Sequence, residues 1–147
     1  MKKFTPMIIG SAVIGADWLL KFAALSKASP TEVFLFNGIG FTLVKNQGIA
    51  FGIVFNQFIT VVSIFSMLVV IFFCAVRAHQ KQHARRANAL LLIFMGGASN
   101  AADRLLHGFI VDYIHIFFWP VFNLADALIV CSVIYLIFRE LKEQKRF

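Results

Sequence analysis

"QFITVVSIFSMLVVIFFCAV", residues 57–76, runs for twenty residues without a charged side chain. At 1.5 Å per residue such a helix is roughly 30 Å long, the thickness of a bilayer's hydrocarbon core. Three further windows have similar length and character: "PMIIGSAVIGADWLLKFAAL" (6–25), "ANALLLIFMGGASNAADRLL" (87–106) and "VFNLADALIVCSVIYLIF" (121–138). The whole chain is 147 residues, 60% hydrophobic and 14% charged, with mean hydropathy +0.82, too little polar surface for a soluble domain. The reading is an all-α polytopic membrane protein, a single domain over 1–147 with four transmembrane helices.

The net charge of +7 is explained by topology rather than by nucleic acid. Of the 14 basic residues, ten lie in three places: Lys2 and Lys3; Arg77, Lys81, Arg85 and Arg86; Arg139, Lys142, Lys145 and Arg146. With four helices these places share one side of the membrane, and the positive-inside rule makes it the cytoplasm, with both termini inside. Asp17 in the middle of the first window argues against a cleaved signal peptide. Cys74 and Cys131 both fall at hydrocarbon depth and read as buried free thiols. His79 and His83, four apart in a basic link without carboxylate or thiol, read as a solvated turn rather than a metal site.

The outer segment 30–56 is too apolar for a plain loop. "EVFLF", "FTLVK" and "IAFGIVF" are β-prone runs separated by "NGIG" and "NQG", so a small antiparallel sheet resting on the outer leaflet is expected.

Three of the seven acidic residues, Asp103, Asp112 and Asp126, lie between positions 100 and 127 beside apolar runs. An ionised group in hydrocarbon costs at least a few kcal/mol, and such residues are usually functional. Four antiparallel helices bring Asp17 and Lys21, Asn100, Asp103 and Arg104, and Asn123 and Asp126 to the outer leaflet. Asn46 lies in the outer segment, and Asp112 in the outer connection between the last two helices. Asp126 is placed about 7 Å down the fourth helix, counted from 121. Asn100 and Asp103 share a face, as do Asn123 and Asp126 and the pair Asp17 and Lys21. "MGGAS" adds a small-residue stripe that permits close helix approach.

Two carboxylates held close do not both ionise easily, so Asp112 and Asp126 form a candidate catalytic pair, one a base and one an acid. Plainer roles stand beside this one. Asp17 with Lys21 is a structural intrahelical ion pair, Asn100 and Asp103 hydrogen-bond neighbouring helices, and Asn123 is a helix N-cap. Arg104, next to Asp103, holds a carboxylate or a carbonyl. His107 and His115 are interfacial, and Trp119 with Pro120 marks an interface anchor and helix start. A transporter would spread its acids through the membrane depth, and a non-catalytic assembly factor would tolerate Asp→Asn changes. The inner halves of the four windows lack acids.

At these residues the sequence resembles the bacterial lipoprotein signal peptidase family, signal peptidase II. The motifs are "DWLLK" (17–21), "NQGIAFGI" (46–53), "GGASNAADRLLHGFIVDYI" (96–114) and "FNLADA" (122–127), in order along the chain. The resemblance implies an intramembrane aspartyl endopeptidase with catalytic Asp112 and Asp126. It implies supporting roles for Asn46, Gly48, Asn100, Asp103, Arg104, Asn123, Asp17 and Lys21. It also implies no metal or other cofactor and diacylglyceryl-modified prolipoproteins as substrates, cut before the lipidated cysteine. The expected setting is the bacterial inner membrane, active site near the outer leaflet, with membrane lipids, no nucleic acid and a monomeric enzyme. "DWLLK" carries Trp18 where members often have glutamine. If Asn46 clamps the site, Asn46→Ala is expected to lower precursor processing, read by gel shift, more than it lowers membrane insertion; equal losses count against the clamp.

Overall fold

The computed structural model describes residues 5–26, 33–48 and 56–144. The chain is mostly helical: α1 (Thr5–Ser26), α2 (Gln57–Gln80), α3 (Ala84–His107) and α4 (Leu124–Gln144). The first three are long and apolar enough to cross a membrane. α4 has 21 residues, with Asp126 in its first turn and Arg139, Glu140, Lys142 and Glu143 towards its far end. Asn56 starts α2, its side chain accepting from the backbone N–H groups of Phe58 and Ile59 at 3.0 and 3.4 Å. The basic link is shorter than its composition suggests. α2 continues through His79 and the chain turns over Lys81–His83, with Gln82 at φ 61.

α3 is the central helix, packed against α2, α4 and α1. Glycines permit its closest approach. A Cβ on Gly96 would lie 2.7 Å from the carbonyl oxygen of Ala125 on α4, and one on Gly97 would meet the Leu68 side chain on α2 at 2.9 Å. Along the helix bundle many large apolar side chains face outward, among them Leu19, Phe22, Phe58, Val70 and Phe138, the distribution expected where lipid is the solvent. Cys74 and Cys131 are free, but both are exposed on this outer surface rather than buried.

The sheet is larger than the 30–56 segment alone would make it. β1 (Val33–Phe36) and β2 (Ile39–Asn46) form the expected hairpin; the run 49–55 lies outside the described residues. The α3–α4 connection, read as an outer link, adds β3 (Ile110–Ile116) and β4 (Trp119–Phe122), giving an antiparallel order β1-β2-β3-β4. Asp112 is therefore on a strand opposite Val44 and 1% exposed, not on a surface loop. The local cause is Gly108. At φ 79 it closes α3 in the left-handed conformation and turns the chain straight into β3. Trp119 and Pro120 belong to β4 and start no helix; as a short edge strand β4 tolerates proline.

The contrast among glycines is testable by thermal melting in detergent. Gly96→Ala is expected to cost about 1–3 kcal/mol because the clash is with backbone. Gly15→Ala, with nothing within 4 Å, is expected to leave stability unchanged or slightly raised.

Candidate active site

Where the sheet meets the ends of α1, α3 and α4, a cluster of polar and charged side chains collects, and most are buried. The deepest layer is the α1 ion pair. The Lys21 ammonium lies 2.8 Å from Asp17 and also 2.8 Å from Asp103, with Lys21 4% and Asp17 0% exposed. Lys21 also donates to Asn100 Oδ1 (3.2 Å) and Ser99 Oγ (3.3 Å). Asp17 accepts from the Ser99 hydroxyl, the Tyr113 hydroxyl and the backbone N–H groups of Leu124 and Ala125, all within 3.3 Å. It thus caps α4 from a different helix, satisfying two of the four N–H groups that a helix start leaves open. Burial first, then the charge of Asp17, keeps the Tyr113 phenol above its ordinary value, so it stays a donor.

The second layer orients two amides. An ammonium only donates, so Lys21 forces Asn100 to present its oxygen downward and its Nδ2 to Asp126 Oδ1, at 2.7 Å. The Asp126 N–H donates to Asn123 Oδ1 at 2.9 Å, so the Asn123 amide must aim its nitrogen the other way. Asn123 Nδ2 donates to Asp112 Oδ1 (2.8 Å) and to Asn100 Oδ1 (3.1 Å). Asp126 Oδ2 in turn accepts from the Asn123 N–H at 3.3 Å, which completes a reciprocal capping box at the α4 N-terminus. Asp126 is thus the third residue of α4, about 3 Å along it rather than 7 Å, because the helix begins at Leu124 and not at 121. It does take part in capping.

The third layer comes from the sheet. Asn46, at the end of β2, donates through Nδ2 to Asp112 Oδ2 at 2.8 Å. Its Oδ1 accepts from the Gly48 N–H (3.0 Å), and the Gly48 carbonyl accepts from Arg104 Nη2. Arg104 is therefore not paired with its neighbour Asp103. Adjacent residues on a helix point to different sides, and Asp103 instead binds Lys21 and accepts from the Val111 N–H at 3.2 Å. All ten residues singled out in the sequence fall in this one network. Ser99, Tyr113 and Trp18, whose indole donates to Ser99 at 3.1 Å, were not singled out for it. Nothing in their residue types separates them from ordinary core side chains. His107 stacks on Phe109 beyond the network, and His115 lies on β3 opposite Gly40.

The network joins Asp112 and Asp126 through one side chain, Asn123. Burial pushes Asp112 up to about 6 from an ordinary 3.8. The Asn46 and Asn123 hydrogen bonds pull it down, and the Asp126 charge pushes it up. A carboxyl at that value carries its proton below about pH 6 and loses it above. Such a group is able to exchange a proton near neutrality.

Lys21→Met tests the foundation. It leaves Asp17 and Asp103 without a cation and Asn100 free to flip. The expected cost is about 3–5 kcal/mol in detergent melting.

Three comparisons bear on what this arrangement belongs to. The family model described as signal peptidase (SPase) II matches residues 9–142. Lipoprotein signal peptidases are similar along the chain. That of Syntrophomonas wolfei is 33% identical, covering 91% of this chain and 91% of its own. That of Streptococcus pneumoniae is 30% identical, covering 97% and 96%. The fold matches a bacterial membrane enzyme solved by the in meso method, with TM-score 0.83 at 24% identity over 97% of this chain and 90% of that one. A second such enzyme gives 0.78 at 25% identity, over 94% and 93%. This chain is a multi-pass membrane protein and belongs to the lipoprotein signal peptidase family, the signal peptidase II peptidases that process lipoprotein precursors.

Proposed function

We propose that the chain is an aspartyl endopeptidase in which Asp112 and Asp126 activate water against the peptide bond preceding a diacylglyceryl-modified cysteine. The observation that carries this reading is the pair of carboxyls joined by Asn123, with each oxygen already holding one amide or backbone donor. Charge counting supports a retained proton. Asp17, Asp103, Asp112 and Asp126 make four carboxyls against two cations, Lys21 and Arg104. Uncompensated buried charge is expensive, and a carboxyl that keeps its proton reduces it.

In the reaction, the ionised carboxylate takes a proton from water as the water oxygen bonds to the scissile carbonyl carbon. The protonated partner donates to the carbonyl oxygen, and a tetrahedral intermediate forms. When the C–N bond breaks, the amine nitrogen takes a proton from the carboxyl that had acted as base. The hydroxyl proton of the collapsing intermediate returns to the other carboxyl, so the pair regains its single proton. Lys21, Asn100 and Asn123 hold positions throughout, and Asn46 keeps Asp112 in place. No metal or other cofactor has a role in these steps.

The setting follows from charge and apolarity. α4 is the fourth span, the basic ends of the helices face the cytoplasm, and the site lies near the outer leaflet of the inner membrane. At the end of the sheet away from the site, Phe36, Phe117, Phe118 and Trp119 are exposed, Phe118 to 95%. These aromatic side chains suit a headgroup interface, and they support a sheet lying on the leaflet beside a monomeric enzyme.

Purified enzyme with a lipid-modified prolipoprotein tests the chemistry. Asp112→Asn and Asp126→Asn are each expected to lower kcat by about 10²–10⁴-fold or more, with folding retained and no effect of chelator. The kcat/KM profile of the wild type is expected to fall at alkaline pH from about 6 upward, as Asp112 loses its proton. Cleavage that survives either substitution overturns the mechanism.

A further inference from the structure

At the basic end of the bundle, well away from the carboxyl pair, α1, α3 and α4 part to leave a cleft of about 380 Å³. Its inner wall is apolar, with Ala89 and Leu92 from α3 and Leu128 from α4. Its polar lining, Arg85, Asn88 and Tyr135, gathers at the basic end. Leu92 precedes Asn100 by eight residues, about 12 Å along the helix, so the cleft is separate from the site described above.

The mouth carries unbalanced positive charge. α3 begins there with Arg85 and Arg86 in its first turn, and its N-cap residue His83 makes no side-chain cap hydrogen bond. Two cations therefore sit at the positive end of a helix whose first N–H groups lack a side-chain acceptor from the cap. On α4, Arg139 follows Tyr135 by one turn on the same face. Its Nε and Nη2 bind Glu143 at 2.9 and 2.6 Å, while Nη1 is buried with no partner among the described residues. Arg86 lies 3.6 Å from Glu140. Arg85, Arg86, Arg139 and Lys142 against Glu140 and Glu143 leave two positive charges in excess.

We propose that this cleft binds an anionic glycerophospholipid of the cytoplasmic leaflet, with an acyl chain between α1, α3 and α4 and the phosphate on Arg85, the cation that lines its mouth. The volume falls in the range of small-molecule pockets. A soluble anion would leave the apolar wall unfilled, and an uncharged chain would leave the positive charge at the mouth, Arg85 in its lining, without a counterion. A phospholipid answers both. Basic pockets between spans on the cytoplasmic side are where anionic headgroups are held. The inference rests on the membrane orientation proposed above, and not on the aspartyl chemistry.

The test uses the purified full chain in neutral detergent. Its thermal midpoint is measured with added phosphatidylglycerol, with phosphatidylcholine of the same chains, and with glycerol phosphate. Phosphatidylglycerol is expected to raise the midpoint by several degrees, phosphatidylcholine by less than half as much, and glycerol phosphate not at all. Arg85→Gln and, separately, Cys131→Phe, which fills the cleft from its exposed side, are each expected to at least halve the phosphatidylglycerol shift. Equal shifts from the two phospholipids, or an unchanged shift in the folded arginine and cysteine variants, overturns the site. Asp112→Asn, run in parallel, is expected to keep the whole shift while failing to cleave. A missing shift in an enzyme that cleaves removes only the lipid site, and cleavage by Asp112→Asn removes only the aspartyl mechanism.

Discussion

One buried ammonium sets the direction of the hydrogen bonds beneath the site. Lys21 sits between Asp17 and Asp103 and has no acceptor to offer, so every group around it must turn an oxygen inward. Asn100 does so, and its amide nitrogen is left facing Asp126. An asparagine on its own is nearly symmetric between its two orientations, and the cation removes that freedom. The same cation makes the two deeper carboxylates acceptable in a buried setting. A lone carboxylate there would cost several kcal/mol, and a pair with hydrogen bonds on its remaining lone pairs costs much less.

The start of α4 and the carboxyl pair are one object. Asp17 accepts from the first N–H groups of the helix, Asn123 and Asp126 cap each other, and Asn123 extends its nitrogen to Asp112. A reactive carboxyl usually sits on an element whose folding is independent of it. Here Asp126 gives one oxygen to the helix start and the other to Asn100. Substitution there therefore acts on local structure as well as on chemistry. Asp112 is the cleaner probe of reactivity, since its strand is held by the sheet register and by Asp103 on the Val111 N–H.

Much of this was legible in the sequence because burial of charge in apolar surroundings is conspicuous by residue type. The polar residues of the 17–21, 46–48, 100–104 and 123–126 groups stood out against their neighbours, and all meet. Helical spacing predicted the Asp17–Lys21 pair. Residue type also pointed to a carbonyl or carboxylate partner for Arg104, and the backbone carbonyl of Gly48 is that partner. The connection 107–120 is harder to read, because its apolar and aromatic residues suit a membrane interface as well as a strand. Period-two patterning over seven residues is too short to separate the two without the pairing partner β2, some 70 residues away. Placing β4 in that connection also moved the start of α4 from 121 to 124, and with it the depth of Asp126. Ser99 and Tyr113 were invisible for another reason: a hydroxyl matters only through the acceptor it reaches, and Asp17 lies more than 80 residues from either.

The sheet spans the distance between the buried polar network and an exposed aromatic edge. Asp112 pairs with Val44 near one end of β3, and five residues on, about 17 Å away, the β3–β4 turn exposes Phe117 and Phe118. The Phe117 N–H donates to the Gly38 carbonyl, so the tips of both hairpins are tied together. Gly38 is at φ 83, and a Cβ there would fall 2.5 Å from the Phe117 ring, so only glycine lets the tips close in this way. A rigid tie at the aromatic end and a hydrogen-bonded end at Asn46 make the four strands a lever of fixed length. If the sheet lies on the leaflet as proposed, the height of the aromatic tip sets the height of Asp112. On the proposed mechanism and orientation, a peptidase that meets its substrate by lateral diffusion needs its carboxyls at one depth, and a sheet of this construction would carry the depth of the leaflet to them.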